Sequence, residues 1–203
     1  HVSLVGSEMC IRDSIKSDLC RYVGFNNVSF LNFIKCYFLH TGFRYSVWFR
    51  IASRSSIKPI SFLAKVRVFF LKRKFFIDIP VNTQVGHGLY IGHGQNIVVN
   101  PTTIIGCNVN LSPFTNIGAN DADAAVINNN VYIGPNVSIV ENVILGTEVI
   151  IGAGAVVTKN IPSYSTAVGV PSKLIKTDIT VNRYVNRRWN CKCNSSIFGK
   201  PKI

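Results

Sequence analysis

The sequence has little of what membrane-spanning, metal-binding or nucleic-acid-binding proteins need. No apolar run approaches the roughly 18 residues that cross a bilayer, and the first residues lack the basic segment and apolar core of a secretory signal. The six cysteines include no pair with zinc-knuckle spacing matched by a second pair, so we expect no metal and reduced thiols. Zinc-finger spacing, recognition-helix patterns and RNP-type aromatic boxes are missing too, so we expect no nucleic-acid partner.

Acidic residues are also scarce, and their distribution divides the chain. There are 9 Asp/Glu against 22 Lys/Arg, for a formal net charge of +13. Residues 1–76 hold 13 Lys/Arg and 3 acidic residues, whereas residues 77–178 hold 3 Lys/Arg and 6 acidic residues. Residues 179–203 hold 6 Lys/Arg and no acidic residue. The positive charge therefore lies in the two flanks, where it is suited to an anionic membrane surface or a polyanionic substrate.

Aromatic and basic residues interleave in the N-terminal flank, at residues 43–50 and 69–76. This pattern is typical of an amphipathic helix that lies in a membrane interface. It also fits a helical cap whose basic face is solvated and whose apolar face packs on the end of the next unit. Both interpretations stay open. We expect a cytoplasmic protein, and peripheral contact at the inner membrane surface is the alternative.

What the chain does contain is a six-residue repeat in its second half. Leading aliphatic residues fall six apart, and a second set runs in step four residues later. The first set is Ile127, Ile133, Ile139, Leu145, Ile151 and Val157, and the second is Val131, Val137, Val143, Val149, Ala155 and Ile161. Neither a helix nor a hairpin has this period, whereas a β-solenoid does. With coils of about 18 residues, residues 79–175 predict roughly five coils around one core.

The repeat is interrupted twice. Its phase slips by two residues between Ile97 and Ile105, and about four residues are inserted between Ile117 and Ile127. The insertion, residues 119–125, is rich in Asn, Asp and Ala. It predicts a loop pushed out of the solenoid, and such loops often carry function.

Composition and periodicity divide the chain into four segments. Residues 1–14 resemble a translated adapter remnant, and we treat them as a non-native leader. Residues 15–76 predict a basic α-helical cap, and residues 77–177 predict the β-helix. Residues 178–203 form a polar, basic tail that we expect to be loosely ordered or packed on a neighbour. The predicted fold class is mainly β, a parallel β-helix with a short N-terminal α-helical region.

The solenoid has few titratable groups, and one pair of them suggests chemistry. His87 and His93 are the histidines of residues 77–178, and Asp78 is the carboxylate of the first coil. Fifteen residues separate Asp78 from His93, close to one coil, so we expect them nearly one above the other on adjacent levels. An Asp can hold an imidazole in one tautomer and stabilise its protonated form, leaving the other nitrogen as a base. His87 has no carboxylate paired by spacing and is interpreted as a solvated turn residue.

Three stretches, residues 77–101, 151–162 and 168–173, resemble the hexapeptide-repeat acyltransferases, and among them the serine acetyltransferase branch. The resemblance covers about residues 76–176, half of the chain. It implies a left-handed parallel β-helix and a homotrimer with active sites at the subunit interfaces. It also implies that acetyl-CoA, the acetyl donor, lies along the groove between neighbouring solenoids.

On this resemblance, His93 matches the catalytic base and Asp78 its partner. Other positions match the turns that contact CoA, and two lysines are suited to its phosphates. These residues are Gly134, Pro135, Gly152 and Ala153 in the turns, and the lysines Lys159 and Lys173. The resemblance implies direct acetyl transfer to a hydroxyl, with no metal and no covalent intermediate.

The chain departs from the serine acetyltransferase branch where the acceptor is bound. That branch carries an Asp-Arg-His-Pro stretch whose His helps to bind the amino-acid carboxylate, whereas residues 123–126 read Asp-Ala-Ala-Val here. The basic, aromatic segment around residues 42–45 is more similar to relatives that acetylate surface polysaccharides. We therefore expect a sugar hydroxyl of a surface polysaccharide or its precursor as acceptor. L-serine is the alternative, and a non-catalytic β-solenoid scaffold is the alternative of another class.

Overall fold

A computed structural model describes residues 4–140 and 142–191, and it begins with helices. Four α-helices are described: α1 (Leu4–Val23), α2 (Phe30–Leu39), α3 (Thr41–Arg54) and α4 (Lys58–Phe75). Pro59 suits the first turn of α4, where its missing N–H would have no helical partner. Among the described residues, no helix is both long enough and apolar enough to cross a bilayer.

Short strands follow, and they stack into three parallel faces of a prism. The first face holds β1 (Ile77–Asp78), β4 (Ile97–Val99), β7 (Asn116–Ile117), β10 (Ser138–Ile139) and β13 (Val156–Val157). The second holds β2 (Gln84–Val85), β5 (Ile104–Ile105), β8 (Val126–Ile127) and β11 (Ile144–Leu145). The third holds β3 (Tyr90–Ile91), β6 (Asn110–Leu111), β9 (Tyr132–Ile133), β12 (Ile150–Ile151), β14 (Thr166–Val168) and β15 (Lys173–Lys176), of which β15 alone runs antiparallel. The predicted fold class, a mainly β parallel β-helix of hexapeptide repeats behind N-terminal helices, is confirmed.

The two interleaved aliphatic sets form the core of the prism. Every member of both sets is buried, and the two sets belong to one continuous cluster that begins in the helices and runs through the coils. Tyr45, Phe49 and Leu71 extend this cluster from α3 and α4 over the open end of the first coil. Because a solenoid end exposes apolar side chains, the helices close the core as a cap.

The coils differ in length, and the differences follow the interruptions in the repeat. Ile77 pairs with Ile97 twenty residues on, whereas Val98 pairs with Asn116 eighteen residues on. The two extra residues therefore lie before Ile97, and the slip predicted between Ile97 and Ile105 is misplaced. Ile104 pairs with Val126, twenty-two residues on, because the inserted loop lies in between. The next coils keep the regular eighteen residues, as in the pairing of Tyr132 with Ile150. The last coil is shorter, because Ile150 pairs with Thr166, sixteen residues on.

The predicted loop at residues 119–125 is present between β7 and β8. Its last two residues, Ala124 and Ala125, are buried and fix the end of the loop to the solenoid.

A fully buried ion pair fastens the helical cap to the first coil. Arg50 on α3 makes a bidentate contact with Asp18 on α1, with both N···O distances 2.9 Å and neither side chain exposed. Arg50 also donates to the backbone carbonyls of Val85 and Gly86, and Asp18 accepts from the N–H of Leu89. The charged groups therefore satisfy backbone polar groups of the solenoid at the point where the two units meet.

Helix α1 crosses the boundary that the sequence places after residue 14. The helix continues through Ser14, which is buried and accepts a hydrogen bond from Arg54 at 2.8 Å. Ser14 is thus part of the cap, and the non-native origin of residues 1–14 stays a prediction.

His87 lies beneath α1 and is half-buried, in contrast to the solvated turn residue that the sequence suggests. Its Nδ1 lies 3.4 Å from Ser17 Oγ. Burial lowers the pKa of His87, and the positive charges of Arg54 and Arg50 lower it further. The imidazole is therefore held in its neutral form as part of the cap interface.

The described part of the tail packs on its own chain. Glu148 accepts hydrogen bonds from both terminal nitrogens of Arg188, at 2.6 and 2.8 Å, and from the N–H of Asn182. Asn182 and Val185 are fully buried, and the ring of Tyr184 stacks on that of Tyr132 on the third face. The described part of the tail therefore packs on the third face of its own chain, and residues 192–203 lie outside the described part.

The cysteines depart from expectation at one position. Cys107 is disulfide-bonded, so the expectation of reduced thiols is wrong there. Cys10, Cys20, Cys36 and Cys191 are free.

Asp18→Asn tests the buried ion pair. We expect it to lower the free energy of unfolding by about 3–5 kcal/mol, because Arg50 keeps its buried charge without a partner. Denaturant unfolding of the purified chain measures this. The control is the double variant Asp18→Leu with Arg50→Met, which removes both charges and should lose much less. A single variant within about 0.5 kcal/mol of the parent would show that the pair does not hold the cap.

His87→Gln tests the buried imidazole through pH. The folded-state pKa of His87 is below the unfolded value of about 6.5. Below pH 6.5, His87 therefore binds a proton in the unfolded chain but not in the folded chain. The free energy of unfolding falls as the pH is lowered, until the pH passes the lowered pKa of the folded state. Melting temperatures between pH 7.5 and about 5 should decline less steeply in His87→Gln than in the parent. His93→Gln, which leaves His87 intact, should decline like the parent, and parallel curves for all three proteins would count against this role.

Candidate active site

Most of the site residues expected from the sequence fall on one edge of the prism. This candidate edge is where the chain passes from the third face to the first, at residues 92–96, 112–115, 134–137 and 152–155. Gly134 N–H donates to the carbonyl of Ile151, Gly152 N–H to that of Ala167, and Gly154 N–H to that of Pro135, each at 2.9 Å. The structure therefore brings the turn of His93 into line with the predicted turn residues Gly134, Pro135, Gly152 and Ala153.

Glycine at position 134 allows the coils to stack this closely along the edge. A Cβ atom on Gly134 would lie 2.8 Å from the backbone nitrogen of Ala153, closer than real Cβ contacts. Left-handed backbone turns recur one coil apart at Phe114, Asn136 and Gly154. The edge thus presents small residues and backbone, while Pro135 and Ala153 are exposed on it.

His93 is held at the edge by its backbone. It has a left-handed φ of 55°, which histidine adopts more readily than β-branched residues do. The next residue, Gly94, packs on the start of α3, where an added Cβ would lie 2.5 Å from Thr41 Oγ1. The His93 side chain is exposed and, within residues 4–140 and 142–191, forms no hydrogen bond or ion pair. The helical cap therefore fixes the backbone and leaves the imidazole available to a ligand or a neighbouring chain.

Val98, and not His93, stacks on Asp78 in the next coil, which corrects the pairing expected from the sequence. Asp78 pairs with Val98 across the first face, five residues beyond His93, because the first coil takes twenty residues instead of eighteen. Its carboxylate is 2.6 Å from Lys72 Nζ at the end of α4, and both side chains are partly exposed. Asp78 and His93 thus lie on the same side of the molecule, but the carboxylate contacts Lys72.

A groove lies between the end of α4 and the first face. It has a volume of about 610 Å³, and we refer to it as the α4 groove. Its lining consists of Lys72, Arg73, Phe76, Asp78, Asn96, Val98, Phe114 and Asn116. Two cations, one carboxylate and two amides on a partly aromatic wall suit a small polar ligand that carries a negative group.

The α4 groove joins the candidate edge through two of its residues. Asn96 and Phe114 belong to the turns of the edge, and Asn116 follows on β7. Four residues of the groove were not predicted from the sequence: Lys72, Arg73, Asn96 and Asn116. A signal existed for the cations, because a basic cluster at the end of a predicted helix comes just before Asp78.

The two lysines expected at CoA phosphates lie apart. Lys173 begins β15 and pairs with Val168, and the N–H of its neighbour Ser172 donates to the carbonyl of Val156 at 2.8 Å. Lys173 is therefore next to the candidate edge at the last coil. Lys159 follows β13 on the other border of the first face, and both lysines are exposed.

The sequence is similar to a family model of a known repeat and to proteins that have been named. A family model described as bacterial transferase hexapeptide (six repeats) matches residues 124–159. The chain is 30% identical over 140 residues to a serine acetyltransferase of Staphylococcus xylosus and 29% identical over 139 residues to one of Staphylococcus aureus. These matches cover 66% of the chain and 64% or 65% of the relatives, so the chain spans slightly less than two thirds of their length.

Solved structures show the same architecture. A Neisseria gonorrhoeae serine acetyltransferase in complex with serine superposes with a TM-score of 0.70 at 28% identity, covering 84% of this chain and 71% of that one. A soybean serine acetyltransferase apoenzyme superposes with a TM-score of 0.71 at 25% identity and the same coverage. The hexapeptide repeat and the three-faced prism are thus features that this chain shares with solved serine acetyltransferases, to which it is similar over most of its length.

Proposed function

We propose that this chain is an acetyl-CoA-dependent O-acetyltransferase and that L-serine is its acceptor. The observation that carries the proposal is the exposed imidazole of His93 on a glycine-lined edge, beside a groove that holds two cations and a carboxylate. The similarity to proteins named serine acetyltransferases supports the same reaction. A base, an open edge for the donor and a polar groove for the acceptor are the parts that acyl transfer to a hydroxyl needs.

His93 is the general base in this mechanism. Its free ring nitrogen takes the proton from the acceptor hydroxyl as the oxygen attacks the thioester carbonyl of acetyl-CoA. The new C–O bond forms, the C–S bond breaks, and the proton passes from the imidazolium to the departing thiolate. The products are the O-acetyl ester and free CoA, so atoms and charge balance without a metal or a covalent enzyme intermediate.

The donor lies along the candidate edge in this proposal. Small residues there leave backbone groups accessible to an extended ligand, and exposed Pro135 and Ala153 offer apolar contacts. Lys173 is next to the edge and suits a phosphate of the donor. Lys159 lies on the other border of the first face, so only a donor that extends across that face would contact it. We include a homotrimer in the proposal, because the exposed His93 edge needs a second wall that a neighbouring solenoid would supply.

Asp78 is proposed as a positioning residue for the imidazolium. Its carboxylate lies in the α4 groove beside the turn that carries His93, and in the structure it is neutralised by Lys72. An acceptor carboxylate that binds Lys72 would release Asp78 to stabilise positive charge on His93. Asp78→Asn should therefore lower kcat and shift the acidic limb of the kcat pH profile, which reports the complex with bound acceptor, and a merely structural role would not do this.

The α4 groove bears on the identity of the acceptor. Residues 123–126 have no cation, and on that ground the sequence predicts a sugar hydroxyl as the acceptor. Lys72 and Arg73 supply cations from another element, so an α-carboxylate has partners after all. The relatives reported above are serine acetyltransferases, and none of them supports the polysaccharide acceptor.

His93→Ala tests the catalytic role. We expect kcat/KM for acetyl transfer to fall by about 10²–10⁴-fold, the usual effect of losing a general base. Thiol release from acetyl-CoA measures it. His40→Ala removes another exposed histidine, which lies outside the candidate edge, and should stay near the parent rate. A His93→Ala variant of near-parent activity would overturn the mechanism.

Lys72→Gln and Arg73→Gln test the acceptor. We expect each to raise KM for L-serine roughly tenfold, because a hydrogen bond to a charged group contributes about 1.5–3 kcal/mol. KM for acetyl-CoA should not change. Lys74→Gln, on the same helical turn but outside the groove lining, is the matched control.

The same assay with a panel of sugars and sugar nucleotides decides between acceptors. Turnover with a sugar and none with L-serine would replace serine by the polysaccharide acceptor. No thiol release with any acceptor, in a folded protein, would favour the scaffold interpretation.

A further inference from the structure

Helices α2 and α4 expose an unusual amount of apolar surface, which we refer to as the helical surface. On α2 the exposed side chains include Phe30, Leu31 and Phe38, and on α4 they include Phe62, Leu63 and Phe70. Leu31 is 80% exposed, Phe30 76% and Phe62 70%. Exposed aliphatic and aromatic side chains in such a group are typical of an interaction site.

The same region carries positive charge with no acid to balance it. No Asp or Glu occurs between Asp18 and Asp78, while residues 30–76 hold ten Lys/Arg. On α4, Lys65 and Arg67 are exposed among the apolar residues, and the guanidinium of Arg73 lies 4.4 Å from the ring centroid of Phe69. Long basic side chains beside aromatic rings are the composition of helices that lie in a lipid headgroup region.

An apolar groove of about 600 Å³ connects the two helices. Phe30 and Phe33 from α2, Ile60 from α4 and Leu19 from α1 line it, together with Arg12 and Lys16. The first turns of α2 and α4 therefore line the same groove, and basic residues of α1 lie there too. The groove places apolar side chains and positive charge side by side.

We propose that the helical surface binds the surface of an anionic lipid bilayer. Apolar side chains enter the boundary between headgroups and acyl chains, and the Lys and Arg side chains contact the lipid phosphates. Charge selects this occupant over a second copy of the chain, since a self-complementary contact would place bases against bases. The exposed aliphatic residues favour a bilayer over nucleic acid, because nucleic acid has no hydrocarbon phase in which these side chains could be buried.

The test is co-sedimentation of the full chain with sucrose-loaded vesicles. One set of vesicles contains phosphatidylglycerol in phosphatidylcholine, and the other contains phosphatidylcholine alone. We expect binding to the anionic vesicles that weakens as salt is added, and little binding to the neutral ones. Phe62→Ser with Leu63→Ser should weaken binding roughly tenfold or more. Lys65→Gln with Arg67→Gln should do the same, because each base near an anionic surface contributes roughly fivefold.

Matched controls come from exposed residues outside the helical surface. Val140→Ser with Val181→Ser controls for apolar loss, and Lys176→Gln with Arg183→Gln controls for charge. Both should bind like the parent, and all variants should keep its melting temperature.

Three results would overturn the proposal. One is failure of the parent chain to sediment with anionic vesicles. Another is a change of oligomeric mass in the Phe62 and Leu63 variant with unchanged vesicle binding, which would assign the surface to a second copy. The third is binding to duplex DNA that the same variants abolish in the absence of vesicle binding.

Discussion

The register in which successive coils stack is the constraint on which the rest of this structure depends. Each coil hydrogen-bonds to the next through backbone groups, and its inward aliphatic residues complete one core. Because the parallel strands are only two or three residues long, a shift of one residue would turn every core side chain outward. The chain absorbs its two interruptions as a longer first coil and as a projecting loop, and the coils that follow return to the regular spacing until the last, which is two residues shorter. The column of turns at the candidate edge is a result of that register.

The helical cap has two consequences for the proposed chemistry. The buried contact between Asp18 and Arg50 fastens α1 and α3 to the first coil, and α3 packs on α4. The end of α4 is thereby held against the first face, where Lys72 and Arg73 form one wall of the groove that contains Asp78. The start of α3 supports the turn of His93. The cap is thus part of the candidate site as well as the closure of the core.

The sequence predicts the solenoid well, because one six-residue period determines both where the turns lie and which residues form the core. Burial of Ile127 through Val157, the coil count and the loop after Ile117 all follow from that period. The predicted stacking of Asp78 on His93 was wrong, since the prediction assumed a coil of about eighteen residues where the first coil has twenty. The groove cations were missed because the contact between α4 and the first face is long-range and has no period. The packing of the tail through Glu148, Asn182 and Arg188 was missed for the same reason.

The proposed function depends most directly on binding of the donor along the candidate edge. Hydrogen–deuterium exchange of the intact protein, with and without saturating acetyl-CoA, measures this binding. We expect slower exchange at residues 92–96, 134–137 and 152–155, with no change at residues 128–131 and 146–149 on the edge between the second and third faces. Protection confined to that other edge, or no protection anywhere, would contradict it.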